Sequence, residues 1–355
     1  MDKEKKRHSL WYIISALLLI VGVGAIFFFC FPLKNYVIEA PGSAEPLTEM
    51  VTVNGKKEKA KGDFYLTTVM LRQATPYLYL EAKKDPYMQV MKKEEVMGKD
   101  TDSKEYDQMQ QYYMETSQNI AKKVALSLAK KPYHLKYDGI YVLDVEKDSD
   151  FYHKLAVGDW ITKINQKSFS SADEMIRYLQ KQKAGTKVTL TVKKEGKEKE
   201  ITGVLKKIKA TKKVGLGIGL VTKTKIETPE KIKFTVGDIG GPSAGMMFTL
   251  QIYELLTHKD LQKGRKIAGT GEIYPDGTIG RIGGIQDKIV AADASGAEIF
   301  LAPDDTWPKE LGKKPKDFQS NYAEAKKTAK DIHTKMKVVP VKTVQDAIHY
   351  LEKSN

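Results

Sequence analysis

Between Leu10 and Leu33 the sequence is apolar almost without interruption, Ser15 being the one clearly polar side chain. Such a run does not suit the surface of a water-soluble domain. Roughly 20 residues rising 1.5 Å each span a hydrocarbon core, where a helix satisfies its backbone polar groups internally. A transmembrane helix over residues 10–33 is therefore expected. A cleaved signal peptide has an apolar core of only about 7–15 residues followed by a small-residue cleavage pattern, so the longer run reads as a retained anchor. Lys3, Lys5, Lys6 and Arg7 precede it, whereas only Lys34 follows closely. Juxtamembrane basic charge stays on the cytoplasmic side, so the tail 1–9 is expected inside and the chain after Lys34 outside, at the cell membrane.

A chain of 355 residues has room for an anchor plus two or three modest domains. With 29% charged and 41% hydrophobic residues, the bulk is neither a disordered tail nor a multispanning transporter, so the fold must be mostly extramembrane. The net charge of +14 raises the question of an anionic partner. Lysines such as Lys193, Lys194, Lys197 and Lys199 are dispersed, without aromatic interleaving or zinc spacing. That pattern argues against nucleic acid and fits an anionic membrane or cell wall. The one cysteine, Cys30, lies in the apolar run, so no intramolecular disulfide can form, as suits an export system without oxidative folding. There is no His-Glu-x-x-His or paired-cysteine spacing, and no metal or cofactor is expected.

Residues 34–131 read as a juxtamembrane α+β segment. Val51-Thr52-Val53 and Phe64 to Val69 flank the charged turn Asn54-Gly55-Lys56-Lys57, which predicts a β-hairpin. Tyr106, Met109, Tyr113, Ile120, Val124 and Leu128 recur mostly at three- or four-residue steps and place an apolar stripe on a long helix, packed on its own domain or on a second copy.

Over residues 132–208 the pattern becomes that of a small β-rich domain: strands at Gly139 to Val145, Trp160 to Ile164 and Lys187 to Val192, and a helix near Ser171 to Lys181. Gly158-Asp159-Trp160-Ile161, Ile164-Asn165 and the helix carrying Met175, Ile176 and Leu179 resemble a PDZ domain of the kind found in bacterial proteases. Such domains add an extended peptide to a sheet edge beside a helix and capture its terminal carboxylate with backbone N–H groups. By that resemblance Tyr137, Gly139 and Ile140, in Tyr137-Asp138-Gly139-Ile140, are the candidate peptide-binding loop. Gly139 as a simple turn is the competing reading.

The strongest local signal is Gly240-Gly241-Pro242-Ser243-Ala244-Gly245, which opens a run from Met246 to Leu256 apolar around most of its circumference and so reads as a buried helix. Ser243 at that helix's N-terminus stands where unpaired N–H groups and the positive dipole end can stabilise an oxyanion. It is equally well placed to be an N-cap. Further along, Ile282 to Ala292 reads as a helix ending near Gly296, with Ile285, Ile289 and Ala292 on one face and Lys288 on the same face. A lysine acting as general base near neutral pH must titrate about 3 pH units below ~10.4, roughly 4 kcal/mol of preference for the neutral amine, which an apolar site can supply. Snorkelling to water is the alternative.

Together these motifs resemble the proteolytic domain of Lon proteases over about Val214 to Leu351, as do Gly269-Thr270-Gly271-Glu272-Ile273 and Gly277 through Gly284. The resemblance implies Ser243 as nucleophile, Lys288 as base, Thr270 bonded to the lysine amine, an oxyanion hole of backbone N–H groups at Ser243 and its neighbours, and Gly241, Pro242 and Ala244 as supporting residues. It places a Lon-type α+β domain at 209–355. One departure matters: Gly215-Leu216-Gly217-Ile218-Gly219 lacks the lysine of a phosphate-binding loop, so no ATP-driven unfolding is implied. Anchor, PDZ-like module and Lon-type domain in this order resemble the YlbL-like proteases of Gram-positive bacteria, which include pheromone-processing endopeptidases. That resemblance implies exported peptides or small membrane proteins as substrates, cell-division inhibitors made after DNA damage among them, and a homo-oligomer of protease domains.

Two other classes compete. Gly241-Pro242-Ser243-Ala244-Gly245 also satisfies the Gly-x-Ser-x-Gly elbow of α/β-hydrolases, which needs a later histidine such as His333 or His349. A non-catalytic scaffold would keep the PDZ-like module and need no lysine on an apolar face.

Overall fold

The computed structural model describes residues 2–57, 61–98, 101, 103–194, 197–209, 211–307 and 313–354, with the backbone alone for 2–10. The fold is mixed α+β. The chain divides into two units, residues 1–42 with 68–101 and residues 43–67 with 102–355.

In the first unit a helix runs from Asp2 to Cys30, and its segment Trp11–Cys30 is long and apolar enough to cross a membrane, with no side chain buried. The side chains of Lys3, Lys5, Lys6 and Arg7 lie outside the described residues. Tyr36 to Glu39 pair antiparallel with Gln89 to Lys92, and Ile38, Ala74 and Ala82 close a small apolar cluster. The helix Pro76–Ala82 starts where it does because the Thr75 hydroxyl accepts the Leu78 N–H at 3.2 Å and proline follows at the first helical position.

The second unit contains a parallel set of strands in the order Lys337–Val341, Ile299–Pro303, Lys266–Gly269 and Asp63 to Leu66. Parallel neighbours need crossovers. The helices Ile285–Ala294 and Asn321–Asp331 provide them, the first bringing Lys288 over the sheet. The expected hairpin does not form. Asn54 and Gly55 do turn the chain, both at positive φ, but Val51–Val53 pairs with Ile232–Phe234 while Phe64 to Leu66 joins the parallel set. Alternation sets the faces of a strand and leaves its partner open.

The run after Ser243 forms the helix Gly245–Thr257, in which every residue through Leu256 is buried. A helix apolar on all sides has to sit inside. It is covered by the long helix Ser103–Leu128, whose buried stripe is Met114, Ser117, Ala121 and Val124. Each large side chain fully buried in this way contributes about 1.5–3 kcal/mol.

A five-stranded antiparallel sheet makes a separate layer of the same unit, in the order Ile218–Glu227, His134–Val145, Trp160–Ile164, Lys187–Lys194, Lys197–Val204. The helix Ala172–Gln180, capped by the Ser171 hydroxyl, packs Met175 and Leu179 into its core with Ile140, Val142 and Leu190. This sheet continues past residue 208, where the sequence pattern placed the end of the small domain. The edge strand Ile218–Glu227 comes late in the chain because it pairs with the first strand of the domain, not with the strand before it.

Candidate active site

Ser243, Thr270 and Lys288 meet in the second unit. The Lys288 side chain is 3% exposed although it carries an amine, and Thr270 is fully buried. Lys288 Nζ lies 2.8 Å from Ser243 Oγ, 3.2 Å from Thr270 Oγ1 and 3.0 Å from the carbonyl oxygen of Thr67. Ser243 is not a helix cap. The capping position is Ala244, without a side-chain bond, and the serine stands one residue earlier.

Counting hydrogens assigns the direction of these bonds. A carbonyl can only accept, so Nζ donates to Thr67 O. The single Thr270 hydroxyl hydrogen is used on Ser243 O at 3.0 Å, so Thr270 Oγ1 accepts from Nζ. In a neutral amine that donates to these two acceptors, the lone pair can take the Ser243 hydroxyl proton across the 2.8 Å contact. That is the geometry a base needs to take the serine proton.

The backbone around the serine is held from several sides. Ser243 O accepts the Gly271 N–H at 2.7 Å, Pro242 O accepts the Ser117 hydroxyl at 3.0 Å, and the Gly241 N–H donates to Gln110 O at 2.8 Å. Gly241 has φ +86°, the left-handed region that favours glycine. Among the described residues, the N–H groups of Ser243 and Ala244 make no backbone hydrogen bond. They stand at the N-terminus of a 13-residue helix, a place suited to negative charge. Beside the site, burial raises the Glu272 carboxyl above its ordinary range, and burial together with the Glu272 charge raises the Tyr113 phenol.

Sequence reasoning missed Thr67, Gln110, Ser117 and Asn321. The buried Asn321 side chain accepts the Ile282 N–H at 2.8 Å and donates to Ile282 O at 3.2 Å, fixing the turn before the lysine helix. Thr270→Val keeps the shape and removes the bridge between Ser243 O and Lys288 Nζ. The expected result is a fall of about 10- to 100-fold in kcat with a smaller change in KM, since leaving buried partners unpaired costs about 1–3 kcal/mol. Unchanged steady-state kinetics would contradict the bridging role.

Residues 232–352 match the family described as the Lon protease (S16) C-terminal proteolytic domain, and residues 114–203 match the PDZ domain. The chain combines a PDZ domain with a Lon-type proteolytic domain. It is similar to the Lon protease of Flavobacterium johnsoniae, 41% identical over 102 residues that make up 28% of this chain and 12% of that one. It is also similar to the Lon protease of Campylobacter concisus, 30% identical over 108 residues, 30% of this chain and 11% of that one. The chain thus spans about a tenth of the length of these curated relatives. Among solved structures, the PDZ domain of the SdrC-like protein from Listeria monocytogenes is 35% identical, with 24% of this chain and 90% of that chain covered and a TM-score of 0.23.

In the PDZ domain the expected peptide-loop residues Tyr137, Gly139 and Ile140 lie in the strand His134–Val145, which pairs along its length with Ile218–Glu227 and, at Ile140 and Tyr141, also with Trp160–Ile164. Ile140 is fully buried, and the buried Tyr137 phenol is pushed up to about 12 by burial first and the Glu174 charge second. A Cβ at Gly139 would meet Ile161 O at 2.3 Å, so glycine is there for packing. A cleft of about 210 Å³ lies instead beside the helix Ala172–Gln180, between Met175, Ile176 and Leu179 and the segment Gly215-Leu216-Gly217-Ile218. That segment leads into the edge strand. The histidines of the competing hydrolase reading, His333 and His349, are exposed, and neither bonds to Ser243 among the described residues.

Proposed function

We propose that this chain is an ATP-independent, membrane-anchored serine endopeptidase in which Ser243 is the nucleophile and Lys288 the general base. The observation that carries this is the 2.8 Å contact between Lys288 Nζ and Ser243 Oγ inside a site where Thr67 and Thr270 take up the other amine hydrogens.

Ser243 Oγ attacks the peptide carbonyl as its proton passes to Nζ, and the developing oxyanion is stabilised by the N–H groups of Ser243 and Ala244. Lys288 then carries three hydrogens. Two stay on Thr67 O and Thr270 Oγ1, and the third goes to the leaving amine. Water, deprotonated by the same amine, resolves the acyl-enzyme. The uncharged amine is the form that can act as base.

The PDZ cleft recruits substrate by pairing an extended peptide with the edge strand Ile218–Glu227, its C-terminal carboxylate received by the backbone at Gly215 to Gly217. The helix Trp11–Cys30 anchors the protein with its N-terminus cytoplasmic and the catalytic part outside, where exported peptides and small membrane proteins, including pheromone precursors or cell-division inhibitors, are the substrates. No phosphate-binding loop occurs in the sequence, and without an unfolding motor short or already extended chains are preferred. The protease domains assemble as a homo-oligomer.

The test is cleavage of a peptide library by the full chain in detergent micelles, read by mass spectrometry with and without ATP. Cleavage of extended peptides at equal rates in both conditions is expected. Absence of cleavage, or a requirement for ATP, would overturn the proposal.

A further inference from the structure

A second cavity, of about 320 Å³, lies further along the edge strand. Ile120, Leu135, Val221 and Pro275 give it an apolar lining, beside threonines and the side chains of Asn119 and Lys123. Its size is at the lower end of ligand-binding cavities, roughly 300–1,000 Å³. The strand Ile218–Glu227 lines both cavities: Ile218 and Leu220 face the cleft beside the helix Ala172–Gln180, and Val221 and Thr222 the second one.

The structure also shows where a peptide paired with this strand must leave it. The Asn119 side chain donates to Thr224 O at 2.9 Å, so the long helix occupies the strand's hydrogen-bonding capacity there. A chain added from Ile218 onward loses its partner at that point, beside the second cavity. Thr116 in the cavity wall is followed by Ser117, whose hydroxyl holds Pro242 O next to the nucleophile. Pro275 on the opposite wall is tied to the same helix by Lys123 Nζ.

We infer that this cavity is a second substrate subsite, which takes an aliphatic or aromatic side chain of the substrate upstream of its PDZ-held C-terminus and passes the chain toward Ser243. The inference rests on the reading that the cleft holds a peptide C-terminus. With a rise of about 3.3 Å per residue along Ile218 to Thr224, the side chain it takes lies about six to eight residues from the carboxylate. Cleavage is then set at a fixed distance from the substrate's C-terminus.

Fluorescence anisotropy with the full Ser243→Ala chain in detergent micelles tests this. The probes are a four-residue peptide ending in leucine, a twelve-residue peptide with the same last four residues and leucines at the sixth to eighth positions from its end, and the same long peptide with serines there. The leucine peptide is expected to bind about tenfold tighter than the short one, the gain from burying one large apolar side chain, and the serine peptide no tighter than the short one. Leu135 is 48% exposed, so Leu135→Glu leaves the fold intact. It is expected to remove the long peptide's advantage and leave the short peptide's affinity unchanged. Equal binding of the three peptides would overturn the subsite while sparing the cleft. So would a Leu135→Glu variant that keeps the advantage. Failure of the short peptide to bind at all would overturn the cleft reading and the subsite with it.

Discussion

Ser243→Ala abolishes peptide cleavage, with kcat lowered by about 10⁴- to 10⁶-fold, the loss expected when a nucleophile is removed from a working unit. The fold should not change. What organises the loop around this residue is backbone: Ser243 O receives the Gly271 N–H and the Thr270 hydroxyl, Pro242 O receives Ser117, and none of these involves the serine hydroxyl. Oγ itself bonds to Lys288. An unchanged thermal melting curve beside lost turnover would therefore locate the defect in the chemistry. Retained turnover in the variant would end the proposed mechanism.

Lys288→Met should cost nearly as much. Methionine fills the space of the lysine stem but leaves the serine proton without an acceptor, and the double variant should be no worse than either single one because the two groups act as a unit. Thr67 O and Thr270 Oγ1 lose a buried partner, so about 1–3 kcal/mol of stability goes as well, measurable by denaturant unfolding. The wild-type pH profile carries a sign. Below its own pKa the amine is an ammonium and cannot accept the serine proton, so kcat/KM must rise with pH through that pKa and level off above it. A profile flat from about pH 6 to 10 would contradict the assignment.

The elements of the candidate site were legible because each is local. Glycines around a serine at the head of an all-apolar helix, and a lysine sharing a face with Ile285, Ile289 and Ala292, are patterns contained within a dozen residues. The side chain of Thr270 was reached only through family resemblance, since nothing in its immediate spacing says that it will lie between Ser243 O and Nζ. Thr67 could not be read at all. It contributes a carbonyl, which every residue has, and it arrives on a strand paired with Lys266–Gly269 across most of the chain. Gln110, Ser117 and Asn321 are hidden for the same reason, each meeting a partner far away in sequence.

Strand order is not written in alternation: His134–Val145 and Ile218–Glu227 look equally able to be an edge, and only the pairing of the first with Trp160–Ile164, at Ile140 and Tyr141, puts the second at the edge of the sheet. Gly215-Leu216-Gly217-Ile218-Gly219 places glycines where backbone can approach a ligand and lacks the lysine of a phosphate-binding loop.

The most direct test of the central claim is rapid-quench intact-mass spectrometry of the full chain with an activated peptide ester, followed by mapping of the modified residue. The account predicts that the mass of one acyl group appears before product release, on Ser243, and that it does not accumulate in Lys288→Met at neutral pH. Product formation with no acyl adduct, or an adduct on any other residue, would contradict it.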